Sequence, residues 1–489
     1  MIQAVASAAR QVESRTLPLS AKLLYGVGEM PITVLMVLFG LFALFFYSSV
    51  MGLPSPLVGL GFAAGLVVDA LLDPYIGHVS DRSRGKLCRA LGRRHAFMFP
   101  GALATGPCFF LLFSPPRGLG QPALFAWLLA CSIALRATSA VYRIPYLSLG
   151  AELSQDYDDR TSTMSIRAIF GLIGTLAAAG LSFLLFFPAT LDGSEPKLNY
   201  TGYPRLGLVF GALMTVSGLI ACLGTLGYRT CGGSKAVAPA LRFFSGFRIA
   251  MRNREFRSLW CSVTLFFLAV VLNATLAIHY FTWYARINGA GSLSAIQTCF
   301  YVGALAGVFL WMALARRMEK RTLYMMATAV SAALLICAAV LIGEGHLLGT
   351  GNALPLLVGH AIGGIFASVV WVIPSSMIAD VTDTDELNTR LRREGIFFGI
   401  MNFGEKIAAG CALLLAGLLL SLFGKMPKGA GLSAQASTAA PYLGWLYGVI
   451  PAVLLLGALV LVLPYRLDRR TVTDLQRRLA LPMELPSHD

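Results

Sequence analysis

The amino-acid sequence predicts an all-α integral membrane protein, with twelve transmembrane helices arranged as two six-helix bundles. Three observations carry this. The 489-residue chain is 56% hydrophobic and only 13% charged, about half the charged fraction of a soluble domain, with a mean hydropathy of +0.71. Its apolar runs are long and unalternated, whereas a β-barrel would show alternating segments of about ten residues, so the spans are helices that close their backbone hydrogen bonds internally. Most of the 39 Lys and Arg fall in connections on one side of the predicted spans, which is the positive-inside pattern. The net charge of +15 therefore reports topology and excludes the need for a nucleic-acid partner. The nine cysteines show no CxxC pair and no His/Cys ligand spacing, so they read as small buried side chains, and neither a metal centre nor an organic cofactor is expected.

In chain order, residues 1–22 are too polar for a signal peptide and place Arg10, Arg15 and Lys22 before the first span, which makes a cytoplasmic segment. Apolar runs of about 20 residues then predict spans near 23–48, 56–80, 95–114, 122–150, 165–188 and 204–228, the N-terminal bundle. A basic connection over 229–256 reads as a cytoplasmic, mobile linker. Spans near 257–284, 293–315, 322–342, 353–379, 395–423 and 441–464 form the C-terminal bundle. Residues 465–489 are a cytoplasmic tail whose basic stretch suits either an amphipathic surface helix or a solvated end. Both termini lie inside.

Within span 2, Asp69 and Asp73 are one helical turn apart and share a face. Facing lipid, each would cost roughly 2.5–3.5 kcal/mol, so the pair is expected to point at a cavity or at counter-ions. Span 4 carries Arg136 and Arg143, seven apart and nearly on one face, with Ser139 and Ala140 between them. The two halves also echo each other. Ala151, Glu152, Phe170 and Gly171 match Ala379, Asp380, Phe398 and Gly399 at one offset of 228 residues, each copy following an Ile-Pro. Such parallel repeats are how two-halved transporters are built, with the site near the midplane.

The loop GHVSDRSRGKLCRALGRRH resembles the G-x-x-x-D-R-x-x-x-R-R loop between spans 2 and 3 of the major facilitator superfamily, stretched by an insertion. Four further stretches, YGVGEMP, DALLDP, IPYLSLGAEL and IADVTDTDELNTRLRREGIFFGIMNFGEK, resemble the glycoside-pentoside-hexuronide:cation symporters, the family of the melibiose carrier, over essentially the whole chain. The resemblance implies the major facilitator fold. It also implies a cation-coupling site at Asp69, Asp73 and the span 11 residue Lys406. Two neutral ligands of the family's site are replaced here, by Ala140 and Leu72. A hard cation wants several oxygen ligands, whereas a proton needs one carboxylate, so H+ is favoured over Na+. The family's sugar-binding carboxylates are replaced by Thr33 and Arg143.

Thr33, Tyr25, Arg136, Arg143, Asn273, Trp371 and Asn402 are the candidate solute-binding residues. Two readings of Arg143 stand: its guanidinium binds an anionic group of the solute, or it pairs permanently with Asp73 or Asp69 and mimics the coupling cation. Glu29 either lines the cavity or pairs with a nearby arginine; Arg167 matches an arginine of the family that the chain resembles, and also lies close enough to the cytoplasmic end to be a snorkelling anchor. Asp81, Arg82, Arg93 and Arg94 in one half, and Asp380, Asp383, Arg393 and Glu394 in the other, form the candidate cytoplasmic gate. The expected function is proton-coupled symport of a sugar, glycoside or sugar acid by alternating access. The alternatives are a lysolipid carrier of the same fold and an uncoupled facilitator. No HExxH or GxSxG constellation is present, which argues against a membrane enzyme. The expected partners are a small-molecule solute and the bilayer, with a monomer in a cell membrane, most simply a bacterial inner membrane.

Overall fold

The computed structural model describes residues 17–83, 85–153, 157–188, 196–228, 243–287, 289–389, 393–423 and 442–480. Among them, twelve helices are long and apolar enough to cross a membrane: Leu19–Val50, Ser55–Ser80, His95–Leu112, Gln121–Gly150, Ser162–Phe186, Gly202–Gly224, Arg254–Tyr284, Ala290–Leu314, Lys320–Leu341, Leu354–Leu387, Ile396–Phe423 and Tyr442–Val462, here spans 1 to 12. The apolar runs locate all twelve. The largest departure is the end of span 10, expected at 379 and found at Leu387. Hydropathy reports where the bilayer ends, but helix propagation is cooperative and continues past it, carrying Asp380, Asp383 and Asp385 on the same helix.

Span 1 is interrupted at Gly28 and Glu29, between the helices Leu19–Val27 and Met30–Phe45. Pro31 lacks an N–H and its ring clashes with the carbonyl four residues back, so the helix cannot run straight through this point. The Gly28 carbonyl exposed by the break accepts a hydrogen bond of 2.8 Å from the Tyr142 hydroxyl.

By backbone contacts the chain divides into two compact units: Met1–Phe39, Ala64–Pro188 and Asn199–Ala236 form one, and Gly40–Ala63, Ala189–Leu198 and Val237–Asp489 the other. In the first unit, span 3 packs on spans 4 and 6, and span 1 on span 5. The span 3–span 6 approach is close because a Cβ at Gly106 would collide with the Gly211 carbonyl, the small-residue contact that substitutes for hydrophobic driving force inside lipid. In the second unit, span 7 packs on spans 11 and 12, span 8 on span 10, and span 9 on span 12. The stretch 40–63 belongs there because Ser48 lies 3.4 Å from His279 of span 7 and Gly59 abuts the Leu413 backbone of span 11. The connection after span 6 is not linker throughout. Phe243–Arg252 is a helix that packs on spans 7 and 11, with Phe247 edge-on to Trp260 at 5.8 Å. The tail forms a helix, Arg469–Ala480, that packs on span 10.

Candidate functional site

The carboxylate pair sits in the first unit. Asp69 is 5% exposed, and span 4 reaches it because span 2 carries Gly65 one turn earlier, where a Cβ would collide with the Ser132 hydroxyl. One turn beyond this close contact, span 2 presents Asp69 and span 4 presents Arg136. A further two turns along span 4, Arg143 places Nη2 at 2.9 and 2.8 Å from the two oxygens of Asp73, and 3.5 Å from Oδ1 of Asp69. One guanidinium thus bridges both acids. Of the two sequence readings of Arg143, this conformation adopts the ion pair. Arg136 lies with its guanidinium 4.5 Å over the Phe39 ring, an attraction of about 0.5–2 kcal/mol. It feels the charges of Asp69 and Arg143, while its buried Nε has no hydrogen-bond partner. Two acids and two arginines leave this cluster electrically balanced, with one desolvated donor unused.

The remaining candidates in the first unit make contacts of their own outside this cluster. Thr33 donates to carbonyls of its own helix, at 3.3 Å to Met30, and packs on Gly171 and Gly174 of span 5. Tyr25 is fully buried: its hydroxyl donates to the Tyr146 carbonyl at 3.4 Å, the Tyr146 hydroxyl donates to the Tyr25 carbonyl at 3.1 Å, and the rings stack at 4.7 Å. That reciprocal clasp joins span 1 to span 4, a packing position where the sequence suggested a cavity. Tyr142 and Tyr146 were not singled out in the sequence, although both lie in the IPY segment and its preceding turn. Glu29 pairs with Arg167 at 3.5 Å, so of its two readings the pair is realised, and Arg167 is more than a snorkelling anchor.

In the second unit, Asn273 donates to the Tyr447 carbonyl at 2.9 Å and so ties span 7 to span 12. Trp371 is 49% exposed. Asn402 is exposed and Lys406, one turn further along span 11, is half-buried.

Among the described residues, several charges of the candidate gate form ion pairs within each unit. Arg93 and Arg94, at the start of span 3, both donate to Oε1 of Glu152 at 2.8 Å, and Arg94 also donates to Ser80 at 2.8 Å. At the equivalent place in the other unit, Lys320 at the start of span 9 donates to both oxygens of Asp380, at 2.8 and 2.6 Å. Glu152 and Asp380 are the two acids 228 residues apart, so the repeat seen in sequence returns as the same ion pair built twice. Arg393 grips Asp385 at 3.0 and 3.1 Å, and Asp383 is half-buried beside them. The side chains of Asp81, Arg82 and Glu394 lie outside the described residues. No group of three His, Cys, Asp or Glu suited to a metal occurs among the described residues.

The sequence pattern of the MFS/sugar transport protein family matches residues 24–469. The chain is 28% identical to an uncharacterized symporter of Synechocystis sp., sll1374, covering 96% of this chain and 98% of that one. It is 25% identical to the sphingosine-1-phosphate transporter MFSD2B of Mus musculus, over 91% of this chain and 89% of that one. Among solved structures, a mutant of the nucleoside transporter NupG shares the fold, with a TM-score of 0.58 at 13% identity over 91% of this chain and 99% of that one. With the family pattern spanning all twelve membrane helices, the chain belongs to the MFS/sugar transport protein family and is a membrane transporter of the major facilitator superfamily.

Proposed function

We propose that the protein is a proton-coupled symporter of a small polar solute that carries an acidic group, most simply a sugar acid, working by alternating access. The observation that carries this is the grip of Arg143 on Asp73 and Asp69, with Arg136 and its unused Nε alongside. In that arrangement the arginine fills the place of a coupling cation. Protonation of Asp73 would leave Arg143 and Arg136 to share Asp69 alone, so that one positive charge in the cluster goes uncompensated, which is strongly unfavourable away from water. A carboxylate on the solute cancels that penalty by taking the released guanidinium in the bidentate geometry that Arg favours. Proton and anion therefore bind together, and the cluster stays neutral both empty and fully loaded. A neutral cluster is what crosses the midplane at least cost, which makes the two states the mobile ones and couples the fluxes.

H+ as coupling ion is supported by the absence of neutral oxygen ligands at Ala140 and Leu72. The paired charges at Glu152 and Asp380 serve the cytoplasmic gate, and Lys406 with Asn402 contributes the span 11 face of the pathway. The protein performs no covalent step, acts as a monomer in the cell membrane, and keeps both termini in the cytoplasm, as the Lys and Arg bias supports. A second reading, an amphiphile with an anionic head, is favoured by the likeness to the sphingosine-1-phosphate transporter and by the aromatic ring under Arg136. Uptake into proteoliposomes under an imposed pH gradient separates them. Hexuronates are expected to accumulate above equilibrium, neutral glycosides weakly, and lysophospholipids not at all; accumulation of the lysolipid alone would replace the first reading by the second.

A further inference from the structure

The turn between spans 8 and 9 and the first residues of span 9, Arg316-Arg317-Met318-Glu319-Lys320-Arg321, are dense in cations, and the one acid among them is already engaged. Lys320 holds Asp380, and Glu319 accepts the backbone N–H of Arg469 at 3.0 Å. Arg321 differs from its neighbour. Its Nε is buried with no hydrogen-bond partner, and no described carboxylate forms an ion pair with it. A desolvated guanidinium donor left unmade is costly.

Arg321 stands at the head of a groove of about 530 Å³ lined by Thr322, Met325, Met326, Ala329 and Leu459. Residues 321–322, 325–326 and 329 recur at helical spacing, so they form one face of span 9, about 12 Å long. Leu459 closes the groove from span 12, which packs against that span. Thr322, Met326 and Ala329 are exposed, so on a membrane helix the groove opens to hydrocarbon along its length and has a cation at one end. A second groove of about 560 Å³ beside the same turn repeats the design, with Phe309, Met312 and Ala313 along its wall and Arg316 and Arg317 at its head. An apolar wall ending in arginine complements an amphiphile whose anionic head adjoins its chain.

We propose that the span 9–span 12 groove binds an anionic glycerophospholipid of the adjoining leaflet, its phosphate on Arg321 and an acyl chain along Met325, Met326 and Ala329. The bidentate fork of Arg suits a phosphate. Basic pockets between membrane helices on the cytoplasmic side, where anionic lipid is concentrated, select such head groups. The site is separate from the carboxylate cluster and stands whether or not the solute reading holds.

The test measures thermal unfolding of the purified, delipidated full chain with phosphatidylglycerol, phosphatidylcholine or inorganic phosphate added. Phosphatidylglycerol is expected to raise the midpoint and the other two to leave it. In Arg321→Gln the phosphatidylglycerol titration should shift to about tenfold higher lipid, whereas Arg470→Gln, an exposed tail arginine, should titrate as wild type. Equal stabilisation by phosphatidylcholine, an equal effect of free phosphate, or an unchanged titration in Arg321→Gln overturns the site. Should Arg321→Gln fail to fold, Ala329→Trp fills the groove and keeps the arginine. Native mass spectrometry should then show fewer retained phosphatidylglycerol molecules than wild type, and equal retention overturns the proposal.

Discussion

Replacing Asp73 by Asn removes the acid that receives two contacts from Arg143, at 2.8 and 2.9 Å, and keeps the shape of the side chain. Two unit charges 4 Å apart interact by about 4 kcal/mol at an effective dielectric of 20. That figure is reduced twice here: both side chains are about a fifth exposed, and Asp69 remains 3.5 Å from the guanidinium to hold part of its charge. The net loss of stability is about 1–3 kcal/mol, between the values for exposed and buried pairs. The loss of coupling is far larger, because the variant has no group at position 73 that exchanges a proton. In proteoliposomes loaded with solute, Asp73→Asn is expected to exchange labelled for unlabelled solute within about tenfold of wild type, a cost of up to ~1.4 kcal/mol. With an inward pH gradient it should never accumulate solute. Accumulation above equilibrium in Asp73→Asn, at the wild-type ratio, would refute the assignment. A double-mutant cycle with Arg143→Gln should return a coupling energy of about 1–3 kcal/mol, as groups in direct contact do.

Three further outcomes follow from the packing and the charges. Gly106→Ala drives a Cβ against the Gly211 carbonyl, which is backbone and cannot turn away, and should destabilise by about 1–3 kcal/mol; Gly65→Ala meets the Ser132 hydroxyl, which can rotate, and should cost less. Thermal unfolding in detergent ranks the two. Tyr142→Phe leaves the Gly28 carbonyl at the span 1 break without its donor and should lower stability by about 1–3 kcal/mol in the same measurement. The Lys22 ammonium, bonded at 2.7 Å, and the Leu17 N–H hold the Asp159 carboxyl below the usual carboxylate range. Because the folded value is the lower one, this contribution is complete above the unfolded value of about 3.9 and is lost as pH falls through the folded value. The unfolding midpoint of the wild type should therefore drop more steeply than that of Asp159→Asn below about pH 4, and parallel curves would contradict the linkage.

The membrane helices were legible because hydrophobic length is a property of the chain alone. The end of span 10 was not, since Asp380, Asp383 and Asp385 read as loop by hydropathy yet continue the helix. Asp69 and Asp73 stood out as charges in an apolar run, and the spacing of Arg136 and Arg143 put both arginines on one face. Which acid Arg143 meets depends on the register of span 2 against span 4, and that is set by the contact of Gly65 with Ser132, two unremarkable small residues. Tyr25 was a cavity candidate mainly on the family resemblance; its hydroxyl goes to the Tyr146 carbonyl, visible only once span 4 is beside span 1. The charges of the candidate gate stood out in the sequence, but their partners Glu152 and Lys320 were hidden because a run of charge carries no pairing information. Only the 228-residue echo of Glu152 in Asp380 hinted that the two acids do the same work.

The central claim is that a proton and an acidic solute enter together by dividing one ion pair, the proton going to Asp73 and the solute's carboxylate to Arg143. It is tested most directly by recording internal pH in proteoliposomes, with a trapped fluorescent indicator, while a hexuronate is added outside without sodium. The account predicts internal acidification in step with uptake, unaffected by an imposed membrane potential, and abolished in Asp73→Asn. Uptake without acidification, or uptake that requires sodium, would contradict it.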